Sequence, residues 1–331
     1  MYEEYYGFTE KPFSLTPDPK YLFKSESHGN AFDLLQYAIR RREGFVVITG
    51  DIGTGKTTLC RAILEQLDRR TFTALVLNPF LSEVDLLRLV LQDFGVVSRE
   101  EVKRGVLATV SKQQLIDTLN DFLLSLLPLN ASALLIIDEA QNLPMGVLEQ
   151  IRILSNLETD KEKLLQIVLV GQLNLKALLR APEMRQLTQR VSIRYELKPL
   201  NREEVAAYAV HRLTIAGGAR SVVFTPRSLK LVEWHSGGIP RLINLLCDRA
   251  LLGGYSARTN RIGPNLVAKA AEGLDLALPR RGLRGWLRRL VPVVGALGAV
   301  AVIGATGVGL VYQRARVELS ARMLEMPPPP R

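Results

Sequence analysis

Short apolar runs alternate with helix-compatible stretches through the amino-terminal part of the chain. The apolar runs predict strands at 45–49, 74–77, 134–137, 167–170 and 191–197. Such runs are typical of strands in a parallel sheet that is covered by helices on both faces. The helix-like stretches between them would supply the connections that parallel strands need. The sequence therefore predicts an α/β domain over residues 1–198 with a five-stranded parallel sheet.

The pattern becomes helical throughout after Pro199. Helices are predicted at 202–216, 225–236, 240–255 and 264–276, and Gly, Pro and Asn residues separate them. These helices indicate a second, smaller domain over residues 199–279.

A phosphate-binding loop follows the first predicted strand. Residues 50–58, GDIGTGKTT, fit the pattern G-x-x-x-x-G-K-[ST]. The glycines let successive N–H groups point at one anion, Lys56 adds a charge for the outer phosphates, and Thr57 offers a hydroxyl to Mg²⁺. The predicted contacts to ATP are Gly50, Asp51, Ile52, Gly53, Thr54, Gly55, Lys56, Thr57 and Thr58. The alternative is a glycine-rich turn that matches by chance, and the strand before it and the helix after it disfavour that reading.

Two adjacent carboxylates end the third predicted strand, in the run ALLIIDEAQ at 133–141. The carboxyl end of a strand is where an α/β sheet places its ligands. Asp138 is expected to hold Mg²⁺ beside Thr57, and Glu139 is expected to polarise the attacking water. The alternative is that both acids only cap a helix predicted at 142–157. The pair predicts hydrolysis of ATP rather than its storage.

Four further polar residues are candidates for sensing the terminal phosphate. Gln172 follows the strand predicted at 167–170, and a loop glutamine without a role is its alternative. Arg185 and Arg190 precede the last strand, where either would reach a neighbouring subunit's nucleotide as an arginine finger, or remain a solvated charge. Arg190 is taken as a catalytic candidate, but the sequence does not decide whether Arg185 or Arg190 is the arginine finger. Arg241 is expected at a helix start near the interdomain cleft, where a bound phosphate would compensate its unfavourable charge.

Charge is distributed unevenly along the chain. Residues 280–331 contain nine arginines and two glutamates, so they carry +7 of the formal charge of +10. This excess flanks one apolar run, which favours membrane-surface electrostatics over binding to nucleic acid. The two cysteines predict no disulfide framework and suit a reducing compartment.

The apolar run at 290–312 has no charged side chain. A helix of this length spans roughly 34 Å, slightly more than the hydrocarbon layer of about 30 Å. The basic segment 280–289 precedes it, so the positive-inside bias predicts a single crossing with the body of the chain in the cytoplasm. A buried core helix is the alternative. The remaining residues, 313–331, are predicted to form a short proline-rich tail beyond the membrane.

A series of segments, in order, resembles the AAA+ ATPases of the general secretion pathway protein A type, also called ExeA. The similar segments lie at 5–23, 27–39, 44–61, 134–141, 169–172, 187–200 and 238–255. The resemblance implies an AAA+ fold with a helical lid, residues 21–23 on the adenine side, and Arg241 as sensor 2. It also implies that copies of the chain assemble into a ring or a comparable oligomer.

The same resemblance implies a place in the cell envelope. It suggests a single-pass protein of the bacterial inner membrane, working with a membrane partner usually called GspB or ExeB so that the outer-membrane secretin assembles through the cell wall. Relatives with this layout end in a peptidoglycan-binding domain. This sequence has 19 residues after 290–312, so it departs from that layout: either the chain is truncated, or a partner supplies the binding of the wall and the link to peptidoglycan is indirect. The competing interpretation is a DNA-binding AAA+ regulator of the transposition-helper type, which the low charge of residues 1–279 disfavours.

Overall fold

The computed structural model describes residues 2–107, 109–160, 162–218 and 221–276. The predicted basic segment 280–289, the predicted transmembrane helix at 290–312 and the predicted tail at 313–331 lie outside these residues. Within the described ranges, no helix is both long enough and apolar enough to cross a membrane.

A parallel sheet of five strands forms the centre of the α/β region, which confirms the predicted sheet. The strands are β1 Phe45–Gly50, β2 Thr71–Val76, β3 Ser132–Ile137, β4 Leu165–Gly171 and β5 Ile193–Leu197. Their order across the sheet is β2-β3-β4-β1-β5. Strand β1 pairs with β4 and with β5, and β3 pairs with β4, all in parallel. The carboxyl ends of β1, β3 and β4 therefore meet at one edge, where the loops after them are neighbours.

Helices surround this sheet and then form the region after it. The helices are α1 Tyr2–Tyr6, α2 Glu26–Arg40, α3 Lys56–Glu65, α4 Glu83–Asp93, α5 Arg99–Lys103, α6 Lys112–Leu126, α7 Met145–Leu154, α8 Asn174–Leu179, α9 Arg185–Gln189, α10 Arg202–Ile215, α11 Pro226–Ser236, α12 Pro240–Ser256 and α13 Pro264–Glu272. Short 3-10 turns occur at Pro19–Tyr21, Leu127–Leu129, Ala140–Asn142 and Pro182–Met184.

Helices cover both faces of the sheet, and successive strand residues point to opposite faces, so the side chains on both sides are buried. On one face Val47 and Leu135 pack into a core with residues of α4, α6 and α7. On the other face Ile48 and Ile136 pack with residues of α2 and α3, among them Leu59. This two-sided burial explains why the strands are apolar at consecutive positions.

The region after Pro199 is mostly helical, but the prediction of an entirely helical lid is wrong. Two short strands, β6 Val223–Phe224 and β7 Arg261–Ile262, pair in parallel within it. Each strand has only two residues, too few to show a period in the sequence. The helix predicted at 142–157 is also shorter than expected, because Pro144 precedes α7 and a 3-10 turn occupies Ala140–Asn142.

The first residues of the chain pack against the lid helices, although the sequence predicts them as part of the α/β domain over residues 1–198. Tyr2, Tyr6, Phe8 and Phe13 are buried in one core with residues of α10, α12 and α13. The Tyr6 hydroxyl also donates to the Thr259 carbonyl at 3.0 Å. By its packing, the amino-terminal segment therefore belongs to the helical region, which lies more than 180 residues later in the sequence.

One close backbone contact joins the segment that follows β5 to the lid. The Leu200 N–H donates to the Gly238 carbonyl at 2.8 Å. Gly238 has φ +78°, and a Cβ there would lie 2.0 Å from the Leu200 carbonyl oxygen. Only glycine fits this conformation and this approach. The contact fixes the start of α12 against the end of the α/β region.

Candidate nucleotide-binding site

The phosphate-binding loop occupies the turn between β1 and α3. Gly55 is the residue that precedes the first turn of α3, so free backbone N–H groups of that turn face the loop. A cavity opens here, and residues 52–58 line it together with Glu139 and Arg241. The structure thus brings the predicted loop, one predicted carboxylate and one predicted arginine to a single cavity.

Lys56 is folded against its own loop. Its ammonium donates to the Gly50 and Asp51 carbonyls, at 2.9 Å each, and the side chain is almost fully buried. Burial lowers the pKa of Lys56, while the carboxylates of Glu139 and Asp138 act in the opposite direction. A phosphate in the cavity would supply the negative charge that this buried ammonium lacks.

Thr57 and Asp138 meet at the junction of α3 and β3. The Thr57 hydroxyl donates to Asp138 Oδ2 at 2.5 Å, and the Glu139 N–H donates to Asp138 Oδ1 at 2.8 Å. Asp138 is 3% exposed. A hydroxyl and a carboxylate beside a phosphate loop are the hard oxygen ligands that Mg²⁺ takes together with phosphate oxygens. These two residues therefore fit the predicted magnesium position.

Glu139 is held at the mouth of the cavity by two amides. Gln141 Nε2 donates to Glu139 Oε2 at 2.6 Å, and Gln172 Nε2 donates to the same oxygen at 3.1 Å. The Gln172 N–H in turn donates to Gln141 Oε1 at 2.9 Å. Glu139 itself has φ 52°, an uncommon conformation for a residue with a side chain. The backbone turn and the two amides together aim the carboxylate.

Gln141 contacts two of the predicted site residues and was not itself predicted from the sequence. It lies two positions after Glu139 in the same motif, and its amide bridges the loops after β3 and β4. Its position in the same motif as Glu139 was the feature of the sequence that could have identified it. Gln172 was expected to contact the terminal phosphate, and the structure places its side chain on Glu139 instead. A direct contact with phosphate stays a prediction.

Arg241 lies directly over the phosphate loop. Its N–H donates to the Gly53 carbonyl at 3.1 Å, and a Cβ on Gly53 would come within 2.6 Å of Arg241 Cβ. Gly53 also has φ +81°, so the loop and the first turn of α12 approach each other only because glycine is there. The structure thus puts the predicted sensor arginine beside the phosphate loop, on the lid side, and its contact with a bound phosphate stays a prediction.

The other predicted arginines lie away from this cavity. Arg190 donates from Nη1 to the Ser155 carbonyl at 3.0 Å and lines a separate cavity with Phe45. Phe45 begins β1, whereas the phosphate loop follows the last residue of that strand. Arg185 is exposed. Neither arginine contacts the phosphate loop of its own chain, and a role at a neighbouring subunit's nucleotide stays a prediction.

His28 supports the back of the phosphate loop and was not identified from the sequence as a site residue. Its Nε2 lies 2.8 Å from the Thr54 carbonyl oxygen, and its Nδ1 lies 2.6 Å from Ser25 Oγ. Since a carbonyl only accepts, Nε2 carries the proton and Nδ1 accepts from the serine hydroxyl. Burial lowers the pKa of His28, which keeps the ring neutral. Ser25 caps α2 three residues earlier, and this serine was the nearby feature of the sequence that could have drawn attention to His28.

The remaining wall of the cavity is made by the amino-terminal segment and the lid. Residues 14–18 and 21–23 line it from one side, and Tyr208 and Asn244 line it from the other. The Tyr208 hydroxyl donates to Asn244 Oδ1 at 2.9 Å, and both side chains are buried. The residues expected on the adenine side, 21–23, therefore lie on this wall of the same cavity.

Comparison with known proteins gives the same picture of the α/β region. Residues 39–179 match the family model described as an AAA domain. The ORC2 protein of Aeropyrum pernix, solved with ADPNP and ADP, superposes with a TM-score of 0.60 at 16% identity over 80% of this chain and 72% of that one. RuvB of Thermotoga maritima, a Holliday junction branch migration motor, superposes with a TM-score of 0.51 at 20% identity over 76% and 70% of the two chains. These structures are similar in fold.

The parallel sheet, the phosphate loop and the helical lid define the class of this protein, an AAA ATPase of the P-loop type. Sequence similarity narrows the class. General secretion pathway protein A of Aeromonas hydrophila is 44% identical over 271 residues, which are 82% of this chain and 48% of that protein. The chain belongs to the general secretion pathway protein A type of AAA ATPases, and it spans about half the length of this curated relative.

Proposed function

We propose that this chain is a magnesium-dependent ATP hydrolase that is anchored in the bacterial inner membrane and drives assembly or remodelling of a secretion apparatus in the cell envelope. The observation that carries the hydrolytic part is the arrangement of Asp138 and Glu139. One acid touches the Thr57 hydroxyl, while the other is aimed across the cavity by two glutamines. Such a division of roles suits a site that turns nucleotide over.

The proposed chemistry follows from the position of each side chain. The loop N–H groups and Lys56 bind the phosphates, and Arg241 adds positive charge from the lid side. Glu139 orients a water molecule and accepts its proton as the water oxygen attacks the γ-phosphorus, while the bond from that phosphorus to the β,γ-bridging oxygen breaks and ADP leaves. Thr57 and Asp138 would hold Mg²⁺, which supplies neutralisation of phosphate charge when bound.

The cellular role rests on similarity to one relative and on residues outside the described structure. The relative's name places it in the general secretion pathway, and we propose the same pathway here. The apolar run at 290–312 and its arginine-rich flank support an anchor with the ATPase on the cytoplasmic side. We further propose that the chain acts as a homo-oligomer with a GspB- or ExeB-like membrane partner, through which any link to secretin or peptidoglycan would run.

Replacing Glu139 tests the hydrolytic role. Glu139→Gln removes the base but keeps the size of the side chain, so we expect phosphate release to fall by roughly 100-fold or more while ATP still binds. The exposed acid Glu65 at the end of α3 offers the matched control, because Glu65→Gln makes the same chemical change outside the cavity. Equal phosphate release by wild type and Glu139→Gln would refute the proposed base.

The membrane and envelope parts need separate measurements. We expect the full chain to fractionate with the inner membrane and expect deletion of residues 290–312 to release it. Crosslinking in cells should recover the chain with copies of itself and with a membrane partner. If residues 1–279 instead bound DNA with strong dependence on salt, the regulator of transposition-helper type would become the better interpretation.

A further inference from the structure

Arg212 is a buried cation of the lid for which the proposed chemistry has no use. It lies on α10 and is 5% exposed. No acidic side chain forms an ion pair with it in the described part of the chain. Removing a guanidinium from water without a carboxylate partner is costly, so buried arginines are normally paired or fully hydrogen-bonded. Other groups must therefore stabilise the buried guanidinium of Arg212, and they indicate its role.

Backbone carbonyls of the amino-terminal segment take the place of that carboxylate. Arg212 Nε donates to the Pro12 carbonyl at 2.5 Å, and Nη2 donates to the Ser14 carbonyl at 2.9 Å. Asn244 of α12 donates to the same Ser14 carbonyl at 3.3 Å. The lid helices α10 and α12 thus hold Pro12 and Ser14, where the segment that lines the cavity begins.

The guanidinium also packs on an aromatic ring of that wall. Its Cζ lies 3.9 Å from the centre of the Tyr21 ring, within the range of a cation–π contact. The Tyr21 hydroxyl donates to Glu10 Oε1 at 2.8 Å, which fixes the far side of the ring. Tyr21 is 4% exposed. Arg212 therefore contacts both ends of the segment from Pro12 to Tyr21, and residues between them line the cavity.

We propose that Arg212 is a positioning residue for the base of the nucleotide. By fixing residues 12–21, it shapes the wall of the cavity against which a planar base would lie. Lysine cannot replace it, because an ammonium lacks both the planar fork and the flat face that contacts Tyr21. This inference rests on the proposed function only in requiring that the cavity bind a nucleotide.

The test compares a ligand that has a base with one that lacks it. Calorimetry on the full chain would measure the affinity of a nonhydrolysable ATP analogue and of inorganic tripolyphosphate, both with Mg²⁺. We expect Arg212→Lys to lower the affinity for the ATP analogue by roughly tenfold, the scale of a lost charge-assisted hydrogen bond. The affinity for tripolyphosphate should stay unchanged. Arg202→Lys, at the exposed start of the same helix, is the matched control and should change neither affinity.

A second variant covers the case in which Arg212→Lys does not fold. Tyr21→Leu removes the ring that receives the guanidinium and should show the same selective loss of the analogue. Equal weakening of both ligands in these variants would mean a merely structural role and would overturn the proposal, as would no change in either. Since the measurement uses binding alone, a wild-type chain that binds but does not hydrolyse ATP would contradict the proposed function and leave this inference standing.

Discussion

The two ends of the nucleotide cavity are built in different ways. At the phosphate end Lys56 bonds to carbonyls five and six residues away, so the geometry is produced by one short segment. At the base end Arg212 and Asn244 of the lid bond to Pro12 and Ser14, which are 200 and 230 residues distant in sequence. The loop at the phosphate end is therefore held partly by contacts within one short segment, whereas the base end depends on contacts between the amino-terminal segment and the lid helices.

This difference has a functional implication. Phosphate recognition should persist if the lid shifts, because the loop between β1 and α3 keeps its own hydrogen bonds. Base recognition should weaken with the same shift, because its wall is attached to α10 and α12. Movement of the lid relative to the sheet would then weaken binding of the base more than binding of the phosphates.

The largest expected effect comes from removing the loop lysine. Lys56→Ala takes away the buried ammonium, so we expect kcat/KM for ATP to fall by about 1000-fold. Tripolyphosphate binding should be lost in parallel with ATP binding, since both ligands use the phosphate end. Lys269→Ala, at an exposed position on α13, is the control and should leave both unchanged. Retention of tripolyphosphate binding in Lys56→Ala would contradict the division described above.

Arg241 should show an intermediate effect, because it belongs to the lid but lies over the phosphate loop. We expect Arg241→Ala to lower the rate of hydrolysis by roughly 10- to 100-fold, the scale of a lost charge-assisted contact. Steady-state phosphate release would measure it, with the exposed Arg249→Ala on the same helix as control. An unchanged rate would show that the lid contributes no charge to the reaction.

A pair of adjacent glycines tests whether the lid is held by the backbone contact with Leu200. An added Cβ at Gly238 would lie 2.0 Å from the Leu200 carbonyl oxygen, while one at Gly237 meets nothing within 4 Å. Both residues have positive φ, so both substitutions carry conformational strain. We expect Gly238→Ala to cost about 1–3 kcal/mol more in unfolding free energy than Gly237→Ala. Equal losses in denaturant unfolding would mean that the close approach to Leu200 is unimportant.

The smallest expected effect is a pH dependence at His28. Burial lowers its pKa in the folded protein, so the unfolded chain takes up the proton at a higher pH than the folded chain does. The unfolding free energy should therefore decrease as the pH falls below the ordinary value of about 6.5 and approaches the lowered pKa. The affinity for ATP should decrease in the same range by a few-fold, because protonation disturbs the Ser25–His28–Thr54 chain.

His28→Gln should remove most of this loss of ATP affinity, because glutamine does not titrate. His211 provides the comparison, since burial and Arg212 also lower its pKa although it is not among the residues that line the cavity. His211→Gln should affect stability at low pH and leave the pH dependence of ATP affinity in place. The same profile in both variants would show that His28 does not act through the phosphate loop.

The extent to which the sequence predicts this structure follows the same division. The five strands and the group formed by Lys56, Thr57, Asp138 and Glu139 were predicted because each depends on a short run of residues. The sheet then brings the strand ends together, as the topology of parallel sheets requires.

Arg212 was missed because its partners lie in other segments, and Gln141 and His28 were missed because their contacts with the loop after β4 and with the phosphate loop are not visible in the sequence. Nothing near Arg212 in the sequence distinguishes it from an exposed arginine on a helix. The burial of Tyr2 and Tyr6 in the lid was missed for the same reason, since it is a contact between the two extremes of the described chain.

The position of the amino-terminal aromatic residues also bears on how the chain is made. Tyr2, Tyr6, Phe8 and Phe13 are synthesised before the helices that cover them, the last of which is α13, ending at Glu272. At a synthesis rate of about 5–20 residues per second, these side chains wait roughly 15–50 seconds for their partners. The nascent chain therefore exposes these aromatic side chains until the residues of α13 have been synthesised.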